Sequence, residues 1–342
     1  TVLHTFGYPE PEIFGFFYVH PDRVATVGIF VPSWFQSPAR TCYRYLQHFM
    51  LHPYLWRYLK GAKLRSWGAK SLQESGKRGE PFLAGEGYAR IGECSGSTNV
   101  LTGSGVDEAW TTGTQLAGAV VELLKAGKPL NKANLDATYV ATRRASWVEE
   151  ESRIAEKARD GFHRGMIPGL MGMAIAGFTE GKHSVTDDPG LMPSPKKYYR
   201  DKIPAAELAH ILEDCRSRGV NCSNALMDRV GWPQIPFDGQ LLVSHQDALL
   251  VGGKVQAPPG FADHVRFLYP DFCERCVSKM CIEMCSGQAL TPGEDGVPLF
   301  DREKCVHCGA CIWNCATPLE EDPTRSNIAF SAGAGGLHST EN

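Results

Sequence analysis

The order of strand, helix and cysteine signals in this 342-residue chain predicts a mixed α+β body that ends in a small metal-holding module. Three observations carry that reading. β-Branched and aromatic runs occupy 14–19 and 23–31, apolar residues recur at helical spacing over 106–126, and eight of the 12 cysteines fall between Cys273 and Cys315. Hydrophobic residues are 43% and charged residues 21%, an ordinary globular composition, long enough for about two or three domains. A formal charge of −3 leaves no basic field for nucleic acid, so nucleic acid is excluded as a partner. No apolar run approaches the roughly 20 residues that a spanning helix needs. No signal peptide is evident and the chain opens on Thr1, which reads as a processed chain, a fragment or one half of a split protein.

The elements follow in order. Phe14-Gly-Phe-Phe-Tyr-Val and Arg23-Val-Ala-Thr-Val-Gly-Ile-Phe-Val flank His20-Pro-Asp-Arg, the pattern of a hairpin. A helix is expected over Tyr43–Leu51, stopped by Pro53. Gly85-Glu-Gly-Tyr-Ala-Arg-Ile-Gly-Glu-Cys-Ser-Gly opens as a short strand and ends in small residues. Leu116, Val120, Leu123 and Leu124 mark one face of a helix from Val106 to Ala126, with Gly127 as its C′ residue. A second, more polar helix is expected from Ala133 to Asp160, ending at Gly161. The uncharged Gly/Met run 165–178 reads either as an interfacial, membrane-dipping element or as a buried helix–turn. Residues 182–205 have the composition of a connector, and a short helix follows over Ala205–Ser217.

The cysteine module repeats itself once. Its second half, Cys305-Val-His-Cys308-Gly-Ala-Cys311-Ile-Trp-Asn-Cys315, has the spacing C-x2-C-x2-C-x3-C. The first, Cys273, Cys276, Cys281 and Cys285, is spaced C-x2-C-x4-C-x3-C. A [4Fe–4S] cluster needs four convergent thiolates, and in two-cluster ferredoxins the fourth comes from the neighbouring motif. By that rule Cys273, Cys276, Cys281 and Cys315 hold one cluster, and Cys285, Cys305, Cys308 and Cys311 hold the other. Zinc is the competing reading, but zinc ribbons present two separated pairs rather than two runs of four. The proline usual after the fourth cysteine is replaced by Ser286 and Ala316. His307, inside the second loop, reads either as a tuning residue or as a partly exposed side chain. Cys42, Cys94, Cys215 and Cys222 read as structural thiols.

Ile91-Gly92-Glu93-Cys-Ser-Gly96, then Gly103-Ser-Gly105 and a helix, suggest a second site. An acidic residue at a strand end can bind ribityl or ribose hydroxyls, and a helix N-terminus can face a pyrophosphate. An ordinary strand–turn–helix connection has the same pattern. From His4-Thr-Phe-Gly-Tyr-Pro onward the chain resembles the C-terminal half of the electron transfer flavoprotein–ubiquinone oxidoreductases and the FixC-type flavoproteins fused to a FixX-like ferredoxin. The resemblance runs in order through Leu51-His-Pro, Ile91-Gly-Glu-Cys-Ser-Gly, Ser146-Trp-Val, Lys304-Cys-Val-His-Cys-Gly-Ala-Cys and Gly333-Ala-Gly-Gly.

The resemblance implies FAD, quinone-binding and iron–sulfur domains. It divides the chain into 1–85, a quinone- or substrate-type domain; 86–130, the C-terminal part of an FAD-binding domain; 131–265, a helical and connector region; and 266–342, a ferredoxin-like domain. Glu93, beside Gly92, would contact the FAD ribityl chain, and Gly103 and Gly105 would supply backbone that approaches the cofactor. Gly15 would keep one member of the family's Gly-Gly pair near quinone, with Phe16 replacing the other. No strand–G-x-G-x-x-G–helix unit is present, so a partner chain or an upstream segment is expected to carry it. Two clusters, rather than the one of mitochondrial-type members, imply a prokaryotic origin. The implied activity passes electrons from a reduced electron transfer flavoprotein through FAD and clusters to quinone, in the cytoplasm and peripherally on the membrane. The alternatives are a soluble bifurcating-type complex and a non-catalytic metal-binding scaffold.

Overall fold

The computed structural model describes residues 2–10, 13–31, 41–69, 76–164, 166–185, 203–220, 222–244, 247–248, 253–254, 263–285, 287–305, 307–315, 326–330 and 337–339. They form two compact units, one of residues 1–71 with 191–342 and one of residues 72–190. Both contain helices and short strands, and every described strand pair is antiparallel, which puts the mixed fold on the α+β side.

The first unit opens with an antiparallel sheet of β1 (Val2–Phe6), β2 (Phe14–Val19) and β3 (Ala25–Phe30) in that spatial order. The hairpin expected around His20 is β2–β3, closed by a 3-10 turn over Pro21–Arg23. β1 is an addition to the expected strands, paired so that Thr5 lies opposite Gly15. Alternation turns Gly15 and Phe17 inward, and Phe17 packs with Phe49, Met50, Leu55 and Leu59. Those partners lie on α1 (Cys42–Met50) and α2 (Pro53–Leu59). Pro53 therefore does more than end α1: its fixed φ suits the first turn of α2, and the His52 ring caps that helix by accepting from Tyr54 N at 3.3 Å. The strand β4 (Ser66–Gly68) closes this part of the chain.

The second unit begins with a tight hairpin of β5 (Ala84–Gly85) and β6 (Tyr88–Ala89), then a 3-10 turn over Gly92–Ser95. The expected long helix is α3 (Val106–Lys125), and Gly127 at φ 63° ends it, with Lys128 N donating to Leu123 O. The single helix expected over 133–160 is broken in the structure. It is α4 (Lys132–Leu135), a π turn over Asp136–Val140, α5 (Ala141–Arg144), a break, and α6 (Trp147–Ala155). Ser146 makes the break: its backbone is extended and its hydroxyl donates to Arg143 O at 2.8 Å, while its carbonyl accepts from Glu149 N. The Gly/Met run is a helix, α7 (Met166–Phe178), laid on a 3-10 turn over Asp160–Arg164. Gly169 is required there, since a Cβ would sit 2.3 Å from the Phe162 ring. The other face of α7 exposes Ile167, Leu170, Met171 and Phe178.

The connector lies largely outside the described residues. The chain returns to the first unit with α8 (Ala205–Ser217), as expected, and α9 (Ser223–Arg229). Their inner faces bury Leu212, Cys215, Cys222, Leu226 and Met227 against Ile13, Tyr45 and Trp232. Arg44, almost fully buried on α1, ties the two segments by donating to Asn224 O, Pro233 O and Asp228. β7 (Gly253–Lys254) leads to the cysteine module, whose described strands are β8 (Val265–Phe267), β9 (Leu290–Thr291), β10 (Leu299–Phe300) and β11 (Ile328–Phe330). They pair as two small ladders, β8–β11 and β9–β10. β12 (Leu337–Ser339) pairs with both β4 and β7, joining the chain's end to its first part.

Candidate metal centre and glycine-rich loop

Each cysteine motif enters its helical turn through a left-handed residue, Lys279 at φ 48° and Gly309 at φ 69°, and the second motif has another at His307, φ 55°. A four-residue helical turn follows, Met280–Glu283 in the first and Ala310–Trp313 in the second. The turns present Cys281 and Cys311 to a shared core with Val265, Leu290 and Ile328, and Cys285 and Cys315 pack against it. On the opposite side of the first turn, Met280 and Met284 join the core formed by α8 and α9. Arg216 fixes this turn through two hydrogen bonds to Glu283, at 3.0 and 2.8 Å.

The electrostatic neighbours of the thiols cross between the motifs. Burial first, then Cys315, Cys276 and Cys273, push the Cys281 thiol up to about 12. Burial, then Cys315, also raises Cys273. Cys311 is raised well above the ordinary thiol value by burial, then by Cys308, Cys285 and Cys305, with Cys281 the weakest contributor. Cys285 is raised by burial and by Cys308. Cys315 thus acts on thiols of the first motif and Cys285 on Cys311 of the second, while all four thiols Cys281, Cys285, Cys311 and Cys315 border one core. Soft thiol donors in such groups suit iron–sulfur clusters or zinc, and either metal must displace their protons.

N–H groups already point at several of the sulfurs. Asn327 Nδ2 donates to Cys273 Sγ at 3.3 Å, Ala289 N to Cys285 Sγ at 3.2 Å and His307 N to Cys305 Sγ at 3.4 Å. His264 Nε2 lies 3.2 Å from Cys305 Sγ. His307 is fully buried rather than partly exposed, because its ring stacks on His264 with centroids 4.1 Å apart. The ligand atoms of His264, Cys305 and His307 lie within 4.8 Å of one another. Sequence reasoning missed His264, which precedes Cys305 by 41 residues with no motif spacing to mark it. Cys42, read as a scattered thiol, sits at the start of α1 and donates to Cys308 O at 3.5 Å. Cys215 and Cys222 are buried in the α8–α9 core, and Cys94 is exposed.

The glycine-rich loop has its own local logic. Gly92 at φ 57° lets its N–H donate to Thr112 Oγ1 at 3.0 Å, tying the turn to α3. Gly96 and Gly103 also have positive φ, and an added Cβ on Gly103 would lie 3.8 Å from Arg159 Nη2. Glu93 is half-buried on the turn, and Ser97 Oγ is buried with no hydrogen-bond partner among the described residues. Gly105 is the N-cap of α3, whose first turn carries Asp107 and Glu108, so carboxylates already complement the helix dipole there. Gly15 has a packing reason to be glycine, since a Cβ would lie 2.5 Å from the Phe49 ring and 2.6 Å from Thr5 Oγ1.

No family model matches the chain. Among curated proteins, it is 32% identical over 172 residues to the mitochondrial electron transfer flavoprotein–ubiquinone oxidoreductase of Arabidopsis thaliana, covering 49% of this chain and 26% of that protein. The Pseudomonas aeruginosa electron transfer flavoprotein–ubiquinone oxidoreductase is 28% identical over 153 residues, covering 44% of this chain and 27% of that protein. Protein FixC of Bradyrhizobium diazoefficiens is 28% identical over 122 residues, covering 35% of this chain and 28% of that protein. The chain spans less than a third of the length of the curated relatives it matches. Over up to about half of its own length, the chain is therefore similar to the electron transfer flavoprotein–ubiquinone oxidoreductases and FixC proteins.

Proposed function

We propose that this chain is the cluster-bearing part of an electron-transfer oxidoreductase that takes electrons from a reduced electron transfer flavoprotein and delivers them towards a quinone. The observation that supports the reading is that the charges acting on the thiols cross between the motifs, Cys315 raising Cys273 and Cys281, and Cys285 raising Cys311. That arrangement fits two [4Fe–4S] clusters, the first held by Cys273, Cys276, Cys281 and Cys315 and the second by Cys285, Cys305, Cys308 and Cys311. N–H groups aimed at Cys273, Cys285 and Cys305 suit sulfurs that carry negative charge when they ligate iron. The donor and acceptor are carried over from the names of the relatives.

FAD is proposed as a shared cofactor, with Glu93 and the Gly92, Gly103 and Gly105 backbone facing it. The buried Ser97 hydroxyl and the exposed Val106 and Trp110 beside this loop support a further protein surface and cofactor packing there. A partner chain or upstream segment would bring the dinucleotide-binding unit. When bound, the flavin supplies a two-electron store and the clusters supply one-electron sites. The residues of this chain exclude water from the thiols, fix their directions and aim N–H groups at the sulfurs. Among the described residues no helix is long and apolar enough to cross a membrane. The exposed apolar face of α7 supports peripheral attachment instead, with Ile167, Leu170, Met171 and Phe178 entering the interface.

The testing experiment is the composition of the natively purified particle: chain inventory, FAD, iron and zinc per copy, then quinone reduction driven by reduced electron transfer flavoprotein. About eight irons, one FAD and quinone reduction are expected. Zinc without iron would remove the redox reading. Iron with flavin but no quinone reduction would favour a soluble complex, and a Glu93→Ala particle with undiminished FAD would remove Glu93 from the site.

A further inference from the structure

We infer that His264 sets the reduction potential of the second cluster by donating a hydrogen bond from Nε2 to Cys305 Sγ, an inference that rests on the cluster assignment proposed above. The ring is almost fully buried and its Nε2 lies 3.2 Å from the sulfur. Three neighbours fix its plane. His307 stacks on it at 4.1 Å, and Phe300 and Phe330 meet it edge-on at 5.0 and 5.6 Å. A sulfur that ligates iron is a thiolate and can only accept, so Nε2 must carry the hydrogen. An N–H directed at a sulfur is worth more when the cluster holds an additional electron, because the sulfur is then more negative. The bond therefore stabilises the reduced form and raises the potential.

The two thiol groups differ at this point. Cys305 receives a ring N–H and the His307 backbone N–H, whereas Cys273 receives the neutral Asn327 amide. His264 lies outside both cysteine motifs and reaches the sulfur through the fold alone. It is a positioning residue for charge at Cys305 and not an iron ligand, since four thiols already complete that set.

The experiment is an EPR-monitored redox titration of the complete, anaerobically purified particle carrying wild-type His264, His264→Leu or His264→Gln, with iron counted in each. In His264→Leu, about eight irons are retained and one of two cluster signals shifts to lower potential. At a fixed poise the ratio of reduced to oxidised centre falls roughly tenfold, which is 59 mV for a one-electron couple. The other signal stays in place, and His264→Gln, which keeps an N–H donor, recovers part of the shift. Full iron with both signals unmoved in His264→Leu overturns the inference. So does loss of about four irons in both variants, which would make His264 a ligand or a packing residue. A wild-type particle without iron fails the cluster assignment instead, an outcome the iron count separates from the other two.

Discussion

The two cysteine loops reach nearly the same backbone by different means. Both pass through a left-handed residue into a four-residue helical turn, and the residues that end the turns, Met284 and Asn314, match at φ −98°, ψ 7° and φ −97°, ψ 7°. The second loop enters its turn through Gly309 in the left-handed position, with His307 left-handed two residues before it. The first inserts two more residues before its third cysteine and places Lys279 there instead. A side chain in that conformation costs about 1–2 kcal/mol. The Lys279 ammonium offsets it by donating to Cys273 O and Gly296 O, which ties the longer loop to the β9–β10 ladder. The loops also face different surroundings. The first turns Met280 and Met284 into the α8–α9 core, whereas the second sets Ala310 and Cys308 against Val31 and Cys42. What the two loops share is the backbone that aims the thiols, and what differs is the flank that meets the body.

The sharpest way to break the comparison is to remove one thiol from each loop. Cys281→Ser and Cys311→Ser should each cost about four of eight irons and abolish different EPR signals. Loss of all the iron from either variant would mean that the two sites do not assemble independently. The Lys279 pair should have a smaller effect. Lys279→Met keeps the strained backbone and loses both carbonyl contacts, so it should destabilise the particle by about 1–3 kcal/mol in denaturant unfolding. Lys279→Gly should recover about 1 kcal/mol of that. Equal midpoints for the two variants would show that the ammonium, and not the backbone strain, accounts for the whole effect.

The smallest effect is a pH dependence of the iron-free chain. Burial and the neighbouring thiols raise the Cys281 thiol from its ordinary value to about 12, so the folded chain holds that proton more tightly than the unfolded chain. The contribution is fully present below the unfolded thiol value of about 8.5 and is lost as pH rises towards 12. Iron-free Cys281→Ser should therefore lose less stability than the parent between about pH 9 and 11, read from unfolding midpoints. Parallel profiles would show that Cys281 gains no proton affinity on folding.

Local signals account for most of the elements that were legible in the sequence. The β2–β3 hairpin, α3 with its Gly127 stop and α8 follow from alternation, helical spacing and a turn. The break at Ser146 went unread although it left a signal: Ser146-x-x-Glu149 is the pattern of a helix start, but the Glu149 side chain turns to Lys77 and Arg144 instead of capping. Continuous helical propensity on both sides hid it. The cysteine spacing pointed to the two loops that hold these thiols, because residues that share one short loop leave a local imprint. His264 and Cys42 left none, since the contact each makes with the second loop spans 41 and 266 residues of chain. Nothing in a linear pattern distinguishes such residues from ordinary core positions.

The division of the first unit into 1–71 and 191–342 has a consequence for the order in which the molecule is made. On the ribosome β1–β3 and α1 emerge before α9, yet most of the core around Ile13 and Tyr45, with Leu226, Met227 and Trp232, follows later. At about 5–20 residues per second, that wait is on the order of ten seconds or more. The contiguous segment 72–190 has no such gap to close, so it is the part able to fold first. The second cysteine loop emerges later still, and its neighbour Cys42 must remain reduced throughout. All twelve cysteines are free in the folded chain, so an oxidising compartment during synthesis would close off that arrangement by pairing thiols before the second loop arrives.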